Sequence, residues 1–313
     1  MRTLITGGTG FVGRSIIESY KTVETGSLGI VTVTSRTPQR FSQELVTHSL
    51  WDVLEECPLQ PNFDVIIHAA TTATADNPLD SEIISNMEKG TKNVIEFAQR
   101  HSVPPRLVLL SSGAVYGEMP SAMIDFPEDF NTDSTILSNN YRYALGKRAL
   151  EIQAEIANAN GKVPCVIARL FAFSGRHLPL NRHFAIGNFV LDALTSGEIT
   201  VRSDGKSVRS YLDSYDMAHW LRTIALDGQP GHIYHVGSER QISIADLASL
   251  VASRVSRFVG AEVPVHINGT TSTTDGVARY VPSTAKTRSE LNLSETVSLE
   301  ESIDNMISEW RSP

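Results

Sequence analysis

The chain has 313 residues, 41% hydrophobic and 20% charged, which is enough to bury a large core in one α/β unit or about two domains. Its formal net charge of −8 disfavours a general nucleic-acid or anionic-membrane surface, although a few local arginines could still hold an anionic small ligand. The two cysteines have no CxxC or metal-ligand spacing, so we expect neither a disulfide framework nor a metal site. Since the first predicted strand begins at residue 3 and no apolar run approaches ~18 residues, we expect a cytoplasmic protein without signal peptide or transmembrane helix.

The chain opens with an apolar strand that breaks into a glycine-spaced turn. Gly7, Gly10 and Gly13 have the spacing GxxGxxG, and a helical pattern starts inside it at Phe11. Gly7 allows a tight turn, Gly10 lets the backbone approach a diphosphate, and Gly13 permits close packing of strand and helix. A glycine triplet alone is a weak signal, because ordinary strand–helix turns also contain glycine. Its place at the start of alternating strands and helices favours a dinucleotide site.

Continuous apolar strands alternate with amphipathic helices along the first half of the chain, which is typical of a parallel sheet covered on both faces. From about residue 171 the alternation loosens. We therefore expect an α/β fold: a Rossmann-type doubly wound parallel sheet over residues 1–170 and a smaller C-terminal α/β substrate domain over 171–313, with interleaved boundaries. The predicted strands span 3–6, 29–34, 65–68, 107–111 and 163–170, and the predicted helices span 11–20, 81–100, 140–159, 188–195, 244–258 and 299–310.

Tyr143 and Lys147 lie four residues apart on the predicted helix 140–159, so their side chains project from one face. A phenol beside an ammonium suits acid–base chemistry, because the positive charge should lower the pKa of the tyrosine. Such pairs are also common on solvated helix surfaces, so the spacing alone does not decide between the two readings. Tyr141 cannot replace Tyr143, because the residue four positions after it is Leu145.

Ser112 follows the predicted strand 107–111, in the segment Ser111-Ser112-Gly113-Ala114. Catalytic groups gather at the carboxyl ends of parallel strands, where a hydroxyl could bond the same substrate oxygen as Tyr143. A serine that only caps the strand-to-loop turn is the simpler alternative.

Together these segments resemble the extended short-chain dehydrogenases/reductases, which include sugar-nucleotide epimerases, dehydratases and 4-keto reductases. The resemblance covers nearly the whole chain, and its specificity comes from the order and spacing of the motifs. Besides the residues above, it includes Asp52-Val53, His68-Ala69-Ala70, Asn86-x-x-x-Gly90-Thr91-x-Asn93, Arg169 and the segments 205–211, 216–218 and 235–238.

The resemblance implies a role for each matching residue. A guanidinium suits the diphosphate of a sugar nucleotide, although a solvent-facing ion pair is the ordinary role of an arginine. The segment from residue 279 departs from the family pattern Arg-x-x-Asp-x-Ser-Lys by carrying Pro282 and Thr284. The implied catalytic residues are Ser112, Tyr143 and Lys147; the substrate-binding residues are Arg209, Arg279 and Asn188; the cofactor-binding residues are Gly7, Gly10, Phe11, Val12, Gly13, Ser35, Arg36, Asp52, Val53, Ala69, Ala70, Tyr143 and Lys147.

The cofactor and the reaction follow from two departures from common patterns. The second strand ends at Ser35-Arg36 rather than at the acidic residue that binds a ribose 2′-hydroxyl, which favours NADP(H), although Arg36 could instead stack on adenine while NAD is bound. Family dehydratases carry Asp-Glu directly after the catalytic hydroxyl residue, so Gly113 and Ala114 disfavour dehydration. The remaining reactions act at one carbon, C4, of a nucleoside-diphosphate sugar. They are reduction of a 4-keto sugar, which NADP(H) favours, and NAD-dependent 4-epimerisation.

Other interpretations stay open. A non-catalytic dinucleotide sensor would not need the Ser112, Tyr143 and Lys147 constellation, and a reductase of small non-nucleotide carbonyls would not need Arg209. His177 and His183 could assist epimerisation through an enol, but ordinary loop histidines are the simpler reading, so neither joins the catalytic set. We expect a homodimer formed by the helices 81–100 and 140–159, with a nucleoside-diphosphate sugar as substrate and no nucleic-acid or membrane partner.

Overall fold

The computed structural model describes residues 1–19, 28–71, 82–130, 141–182, 184–269 and 277–310. The strands are β1 (Arg2–Thr6), β2 (Ile30–Ser35), β3 (Val46–Leu50), β4 (Val65–His68), β5 (Arg106–Ser112), β6 (Cys165–Leu170), β7 (Phe173–Ser174), β8 (Ile199–Val201), β9 (Val208–Ser210), β10 (Leu212–Asp213), β11 (Ile233–Val236), β12 (Gln241–Ser243), β13 (Val265–Ile267) and β14 (Arg279–Tyr280). The helices are α1 (Phe11–Ser19), α2 (Ile83–Gln99), α3 (Tyr141–Ala159), α4 (Ala185–Thr195), α5 (Ser214–Asp227), α6 (Ile244–Val259), α7 (Ala285–Leu291) and α8 (Leu299–Trp310), with a 3-10 turn at Gly113–Tyr116.

Seven strands form one parallel sheet in the order β11-β6-β5-β4-β1-β2-β3. The order reverses at β1, which lies between β2 and β4. In doubly wound sheets, ligands bind beyond the carboxyl ends of the strands at such a reversal. The predicted Rossmann-type α/β fold is confirmed, and the carboxyl ends of β1, β2, β4 and β5 position the candidate site.

The central strands are buried on both faces, which explains their continuous apolar sequences. Successive residues of β1 point to opposite sides of the sheet. Ile5 joins a core with Ile16 of α1 and Trp220 of α5, whereas Leu4 joins a second core with Leu150 of α3 and residues of α2. The two helical layers therefore clamp the sheet and hold its carboxyl edge in a fixed position.

A third core lies in the C-terminal part of the chain, where α4, α6 and α8 pack together. A small sheet, β12-β9-β14, lies in this part and carries Arg209 and Arg279. β9 and β14 run parallel, and Tyr280 is the register partner of Arg209. This small sheet brings a segment near residue 280 towards the end of β5.

Several elements differ from the sequence prediction. The strand β3, the edge strand β11 and the helix α5 were not predicted, and α4 begins at Ala185 rather than at residue 188. The predicted helix ends at Tyr20, Ser81 and Asn140 lie outside the described residues. Among the helices of the described ranges, none is long and apolar enough to cross a membrane.

Candidate active site

The glycine turn has the close backbone contacts that its spacing predicts. Gly7 has a φ of 69°, and a Cβ there would lie 2.7 Å from the backbone of Ala70. A Cβ on Gly13 would lie 2.4 Å from the Cα of Gly8. A Cβ on Gly10 would meet only the Gly7 carbonyl oxygen, at 3.4 Å, so the space in front of Gly10 is open. That opening is the close approach to backbone that a diphosphate requires.

The helix α1 begins at Phe11, directly after this opening. The backbone N–H groups of its first turn, including that of Val12, have no carbonyl partner within the helix. Together with the positive end of the helix dipole, they suit a diphosphate. The turn itself is held by the Gly10 N–H, which donates to the Gly7 carbonyl at 3.0 Å. The residues present therefore fit the predicted dinucleotide.

The end of β4 lies beside the glycine turn and forms the next side of the predicted dinucleotide site. Thr6 Oγ1 lies 2.8 Å from Nδ1 of His68 and accepts from the Ala70 N–H at 3.2 Å. Burial and, to a smaller extent, the charge of Lys147 together lower the pKa of His68 to about 3, so the imidazole is neutral at pH 7. This buried contact holds the segment Ala69-Ala70 against the glycine turn.

The predicted adenine contacts, Asp52 and Val53, lie on the loop after β3. The Asn93 side-chain amide donates to the Val53 carbonyl at 2.8 Å, and Asp52 Oδ1 accepts from the Leu54 N–H at 3.0 Å. A Cβ on Gly90 would lie 3.2 Å from a methyl group of Val53, so α2 passes close to this loop. The motif around Gly90 and Asn93 thus shapes the loop that would face the adenine.

The two predicted cofactor residues at the end of β2, Ser35 and Arg36, differ in whether their donor groups are already hydrogen-bonded. Ser35 Oγ donates to the Thr37 carbonyl at 2.7 Å and lies 2.8 Å from Nε2 of His48. Its proton is therefore used within the loop. Arg36 is exposed and has no hydrogen bond or ion pair with any residue that the structure describes. Of these two residues, Arg36 is the one whose side-chain donors are not used by a described residue.

The two serines at the end of β5 point to opposite faces, as successive strand residues do. Ser111 Oγ donates to Glu151 Oε1 at 2.5 Å within a buried cluster. Ser112 Oγ accepts from the Ala114 N–H at 3.2 Å, and its hydroxyl is close enough to the Tyr143 phenol to lower the pKa of that phenol. The structure therefore brings Ser112, and not Ser111, to the tyrosine.

Tyr143 and Lys147 lie on the face of α3 that turns towards the sheet. Lys147 is buried, with Nζ 5.7 Å from the Tyr143 ring centroid. Nζ donates to the Leu110 carbonyl at 2.6 Å and to Thr71 Oγ1 at 3.4 Å. Tyr141, by contrast, is exposed, and its hydroxyl accepts from the neighbouring arginine. The helix spacing thus separates the two tyrosines in space.

The pKa of Tyr143 is raised, whereas the sequence predicts a lowered one. Burial raises it, and the interaction with Ser112 lowers it by a smaller amount. Burial also lowers the pKa of Lys147 to about 7, against the opposing effect of Glu151. The expectation that Lys147 lowers the pKa of Tyr143 is therefore wrong for this arrangement: the ammonium lies over the ring, and desolvation of the phenolate dominates.

Behind the site, a buried network joins β6 to β11. Arg169 binds Glu151 through two hydrogen bonds of 2.9 and 2.8 Å, and it donates to the Tyr116 hydroxyl at 2.6 Å. His235 Nδ1 lies 2.7 Å from the Ser283 carbonyl and so carries the proton; Nε2 then accepts from Tyr116 at 2.6 Å. Arg169, which the resemblance places on the cofactor side, is used in this network.

The predicted substrate residues are brought together only in part. Arg209 Nη1 donates to two main-chain carbonyls, at 2.8 and 3.3 Å, and Arg279 Nη1 donates to Gln241 Oε1 at 2.7 Å. Neither guanidinium forms an ion pair with a described carboxylate. Asn188 is half-buried on α4 and makes no side-chain hydrogen bond with either arginine.

Tyr280 is a site residue that sequence reasoning missed. Its Oη lies 3.5 Å from Ser112 Oγ, and its ring centroid lies 5.0 Å from that of Phe171. Only the neighbouring Arg279 was singled out, because a lone tyrosine in a loosely patterned segment has no spacing signal. Thr71, which contacts Lys147, was missed for the same reason.

The two histidines left out of the catalytic set have different outcomes. His177 Nδ1 lies 2.9 Å from Glu309 of α8, and its backbone N–H donates to the same carboxylate at 2.6 Å. It therefore anchors a loop. His183 lies outside the described residues.

Known proteins resemble this chain along most of its length. The sequence model of the NAD dependent epimerase/dehydratase family matches residues 3–237. The chain is 27% identical to UDP-glucuronic acid decarboxylase 1 from Arabidopsis thaliana over 326 aligned residues, which cover 99% of this chain and 70% of that protein.

Solved structures share the fold at lower identity. RMD from Pseudomonas aeruginosa, determined with NADPH, has a TM-score of 0.80 at 20% identity, covering 99% of this chain and 98% of that one. UDP-glucose 4-epimerase from Thermotoga maritima, determined with UDP-glucose, has a TM-score of 0.80 at 18% identity, covering 99% of both chains. The family match spans well over half of the sequence and includes the glycine turn, Ser112, Tyr143 and Lys147. The resemblance stated from the sequence is confirmed, and the chain belongs to the NAD-dependent epimerase/dehydratase family.

Proposed function

We propose that this protein is an NADP(H)-dependent oxidoreductase that reduces the 4-keto group of a nucleoside-diphosphate sugar. The observation that carries the proposal is the meeting of Ser112, Tyr143 and Lys147 at the carboxyl edge of the sheet, beside the open glycine turn. Family membership supports NAD(P)-dependent chemistry. The names of similar proteins, which include UDP-glucuronic acid and UDP-glucose, support a sugar nucleotide as substrate.

In the proposed reaction, Tyr143 gives its proton to the oxygen of the carbon that is reduced. When bound at the glycine turn, a dinucleotide would supply the hydride to that carbon. The hydroxyl of Ser112 orients and polarises the same oxygen, which places the acceptor next to the phenol. Lys147 has three donor positions, two of which are used by the Leu110 carbonyl and Thr71, and the third is free for a ribose hydroxyl.

The residues after Ser112 support reduction over dehydration. A Cβ at Gly113 would lie 2.5 Å from the ring of Phe171, so no acidic side chain fits there without moving the ring. The methyl group of Ala114 neither donates nor accepts a proton. Elimination of water needs an acid and a base at the neighbouring carbons, and these two positions supply neither.

The surroundings of β2 support NADP(H) as the cofactor. Arg36 has its charge available, as described above, and a cavity of about 300 Å³ lies beside the glycine turn and the loop after β2. Thr9, Arg14, Gln39 and Arg40 are among the residues that line it, and the guanidinium groups of these two arginines have no hydrogen bond or ion pair with a described residue. Guanidinium groups in this position suit a 2′-phosphate.

The alternative is an NAD-dependent nucleotide-sugar 4-epimerase. Ser112, Tyr143 and Lys147 would serve it equally, because the hydride is taken and returned at one carbon. Its support is the family itself, which combines epimerases with dehydratases. A non-catalytic dinucleotide sensor is the remaining class, and the buried Lys147 beside Tyr143 argues against it, since an unused lysine is costly to bury.

The C-terminal residues 171–313 form the proposed substrate-binding domain, interleaved with the dinucleotide-binding residues 1–170. Arg209 and Arg279 support this assignment, because both keep an unneutralised charge on neighbouring strands. We assign them to the diphosphate, with Asn188 at the sugar. The strand β11 supports the interleaving, because it comes after residue 170 and completes the large sheet.

The proposed assembly is a homodimer through α2 and α3. Leu145, Ile152 and Ile156 of α3 are exposed, and their spacing of seven and four residues places them on one helix face. An Ile152→Glu/Ile156→Glu variant should then be a monomer by light scattering, whereas the unmodified protein is a dimer. The proposed compartment is the cytoplasm, supported by two buried free cysteines.

The test combines the nucleotide that co-purifies with a substrate panel. After denaturation, mass spectrometry identifies the bound nucleotide, and UDP-, dTDP-, CDP- and GDP-linked 4-keto sugars are then assayed with NADPH. The proposal expects one NADPH consumed per sugar reduced. Tightly held NAD with interconversion of 4-epimers and no net consumption would establish the epimerase instead. Release of CO₂ from UDP-glucuronic acid would establish a decarboxylase, and binding without any turnover would establish a sensor.

A further inference from the structure

Tyr280 is a second phenol at the proposed reaction centre, and the mechanism above does not use it. Its Oη lies 3.5 Å from Ser112 Oγ, at the outer limit of a hydrogen bond, and Tyr143 is close enough to raise the pKa of Tyr280. Hydrogen bonds in unliganded active sites are often this long and shorten when substrate binds. The Ser112 hydroxyl therefore lies between two phenols, within 3.5 Å of Tyr280 and close enough to Tyr143 to lower its pKa, so the three hydroxyls can act as one hydrogen-bond chain.

The fold fixes the position of Tyr280 through its ring and its backbone. The ring packs on Phe171, whose own ring lies against Gly113, directly after the serine. On the C-terminal side, the Val281 carbonyl accepts from the Phe126 N–H at 2.9 Å. On the N-terminal side, β14 pairs with β9. The hydroxyl is therefore aimed at the serine by packed structure on both sides.

The direction of the chain follows from counting protons and lone pairs on Ser112. The oxygen accepts from the Ala114 N–H, which leaves one lone pair and one proton. A Tyr143 phenolate can only accept, so the Ser112 proton points to it and the remaining lone pair accepts from Tyr280. Burial raises the pKa of Tyr280 and the nearby Tyr143 raises it further, so Tyr280 keeps its proton and stays the donor.

We propose that Tyr280 is a positioning residue whose hydroxyl donates to Ser112 and thereby keeps the single Ser112 proton on the side of Tyr143 and the sugar. Ser112 gives that hydrogen bond to the sugar oxygen while Tyr143 is protonated, and to the Tyr143 oxygen once Tyr143 has lost its proton. The inference rests on the proposed function for its substrate, whereas the three hydroxyls lie together without substrate. Its consequence is that Tyr280 stabilises the phenolate that remains after Tyr143 has given up its proton. A neutral hydrogen bond contributes about 0.5–1.5 kcal/mol, so loss of the Tyr280 hydroxyl should raise the pKa of Tyr143 by about 0.5–1 unit.

Other charged or titratable groups face these hydroxyls from the elements packed around them. Each keeps its place when a single oxygen is removed from Tyr280, so the shift can be assigned to the chain. These groups are Lys147 on α3 with Glu151 behind it, Arg209 on β9 and Tyr116 in the 3-10 turn.

The test is a double-mutant cycle read by titration. Tyrosine labelled with ¹³C in the ring is titrated by NMR in the free and the NADP⁺-loaded protein, and Tyr143→Phe identifies the Tyr143 signal. Tyr280→Phe, which keeps the ring packed on Phe171, should raise the pKa of Tyr143 by about 0.5–1 unit. In a Ser112→Ala background the same change should add nothing, because the path from Tyr280 runs through Ser112.

Turnover supplies a second readout. In Tyr280→Phe, kcat should fall about three- to tenfold with KM unchanged, and the limb on which kcat falls with rising pH should move up by the same shift. The matched control is Tyr234→Phe, a buried tyrosine whose hydroxyl binds Glu290 far along the chain from the site; it should leave the Tyr143 titration unmoved.

Two results would overturn the role of Tyr280. One is an unchanged Tyr143 pKa in Tyr280→Phe, and the other is an equal shift with and without Ser112, which would mean that Tyr280 acts on Tyr143 directly. The titration needs no sugar nucleotide. Failure of every substrate would therefore refute the proposed function and still leave this test decisive.

Discussion

At the carboxyl edge of the large sheet, Lys147 is buried and burial lowers its pKa to about 7, whereas on the small sheet Arg209 and Arg279 are half-buried and bonded to neutral groups. The first region has its hydrogen bonds made before any ligand arrives, through Leu110, Thr71 and Ser112. The second region keeps its positive charges available.

The difference shows that the free-energy cost of holding a positive charge is larger at the carboxyl edge of the large sheet than on the small sheet. Burying Lys147 costs free energy, because its ammonium has no ion pair among the described residues and the carboxylate of the nearby Glu151 is paired with Arg169. A role of this lysine in a reaction at the site would account for that cost. An anion-binding arginine costs less free energy to hold in place, because a half-exposed guanidinium is always charged and loses little of its hydration. Chemistry is therefore expected to depend on a few rigid groups, and substrate choice on groups that can be exchanged.

The largest expected effect tests the carboxyl edge of the large sheet around Ser112, Tyr143 and Lys147, here called the rigid region. Tyr143→Phe removes the proposed proton donor and should lower kcat by about 10²–10⁴-fold, the range for loss of a general acid. Dinucleotide binding should persist, because the glycine turn is untouched. The measurement is NADPH oxidation with the 4-keto sugar beside calorimetric titration of the dinucleotide. If the protein is a dinucleotide sensor, neither the unmodified protein nor Tyr143→Phe should oxidise NADPH, and the two should bind the dinucleotide equally.

The control for that variant is Tyr141→Phe on the same helix. Tyr141 is exposed two residues earlier, with its hydroxyl bonded to Arg142. Its loss should leave kcat within a factor of two, by the usual size of surface effects. Equal losses in the two variants would mean that α3 as a whole, and not the Tyr143 phenol, carries the activity.

The next largest effect tests the two arginines of the small sheet, Arg209 and Arg279. Arg209→Ala should raise KM for the nucleotide sugar about 10–100-fold, because charge-assisted hydrogen bonds contribute about 1.5–3 kcal/mol. kcat should change little, since the arginine is proposed to bind the diphosphate in ground and transition state alike. Arg202→Ala, an exposed arginine near β8, is the matched control. An unchanged KM would favour a small carbonyl without a diphosphate as the substrate.

The same contrast describes what the sequence could predict. The glycine turn and the pair Tyr143 and Lys147 were found because their geometry follows from spacing within one element, which the backbone dictates. Tyr280 was missed because it lies 168 residues from Ser112 along the chain, and its place beside that serine depends on tertiary contacts such as the pairing of β14 with β9. The use of Ser35 by the Thr37 carbonyl and His48 was missed likewise, since β3, which carries His48, was not predicted. Local periodicity predicts elements, and tertiary contacts decide which polar groups stay available.

A third prediction concerns the cofactor. Arg36→Asp should shift the ratio of kcat/KM for NADPH over NADH about tenfold towards NADH, because it removes the guanidinium proposed to bind the 2′-phosphate and adds a carboxylate that suits a 2′-hydroxyl. Arg257→Asp on α6 makes the same charge change far from β2 and should leave the ratio unaltered. A ratio that already favours NADH in the unmodified protein would contradict the assignment of Arg36.

The smallest expected effect uses the cost of burying Lys147. Its pKa is about 7 in the folded chain and 10.5 as an unperturbed side chain, so between these values the unfolded chain binds more protons and stability rises with pH. Relative to Lys147→Met, the unmodified protein should therefore gain about 1 kcal/mol of unfolding free energy between pH 7 and pH 8, and should gain little between pH 5 and pH 6, where both states are protonated. Urea unfolding at these four pH values measures the difference, and the titrating groups that do not interact with Lys147 cancel between the two proteins. His68, which does interact with it, has a pKa of about 3 and titrates below this pH range. Lys92→Met, which removes an exposed lysine paired with Glu96, should show no such gain. A difference that is flat from pH 5 to pH 8 would mean that Lys147 stays fully charged in the folded protein, and then the rigid region would hold its ammonium at no greater cost than the arginines of the small sheet.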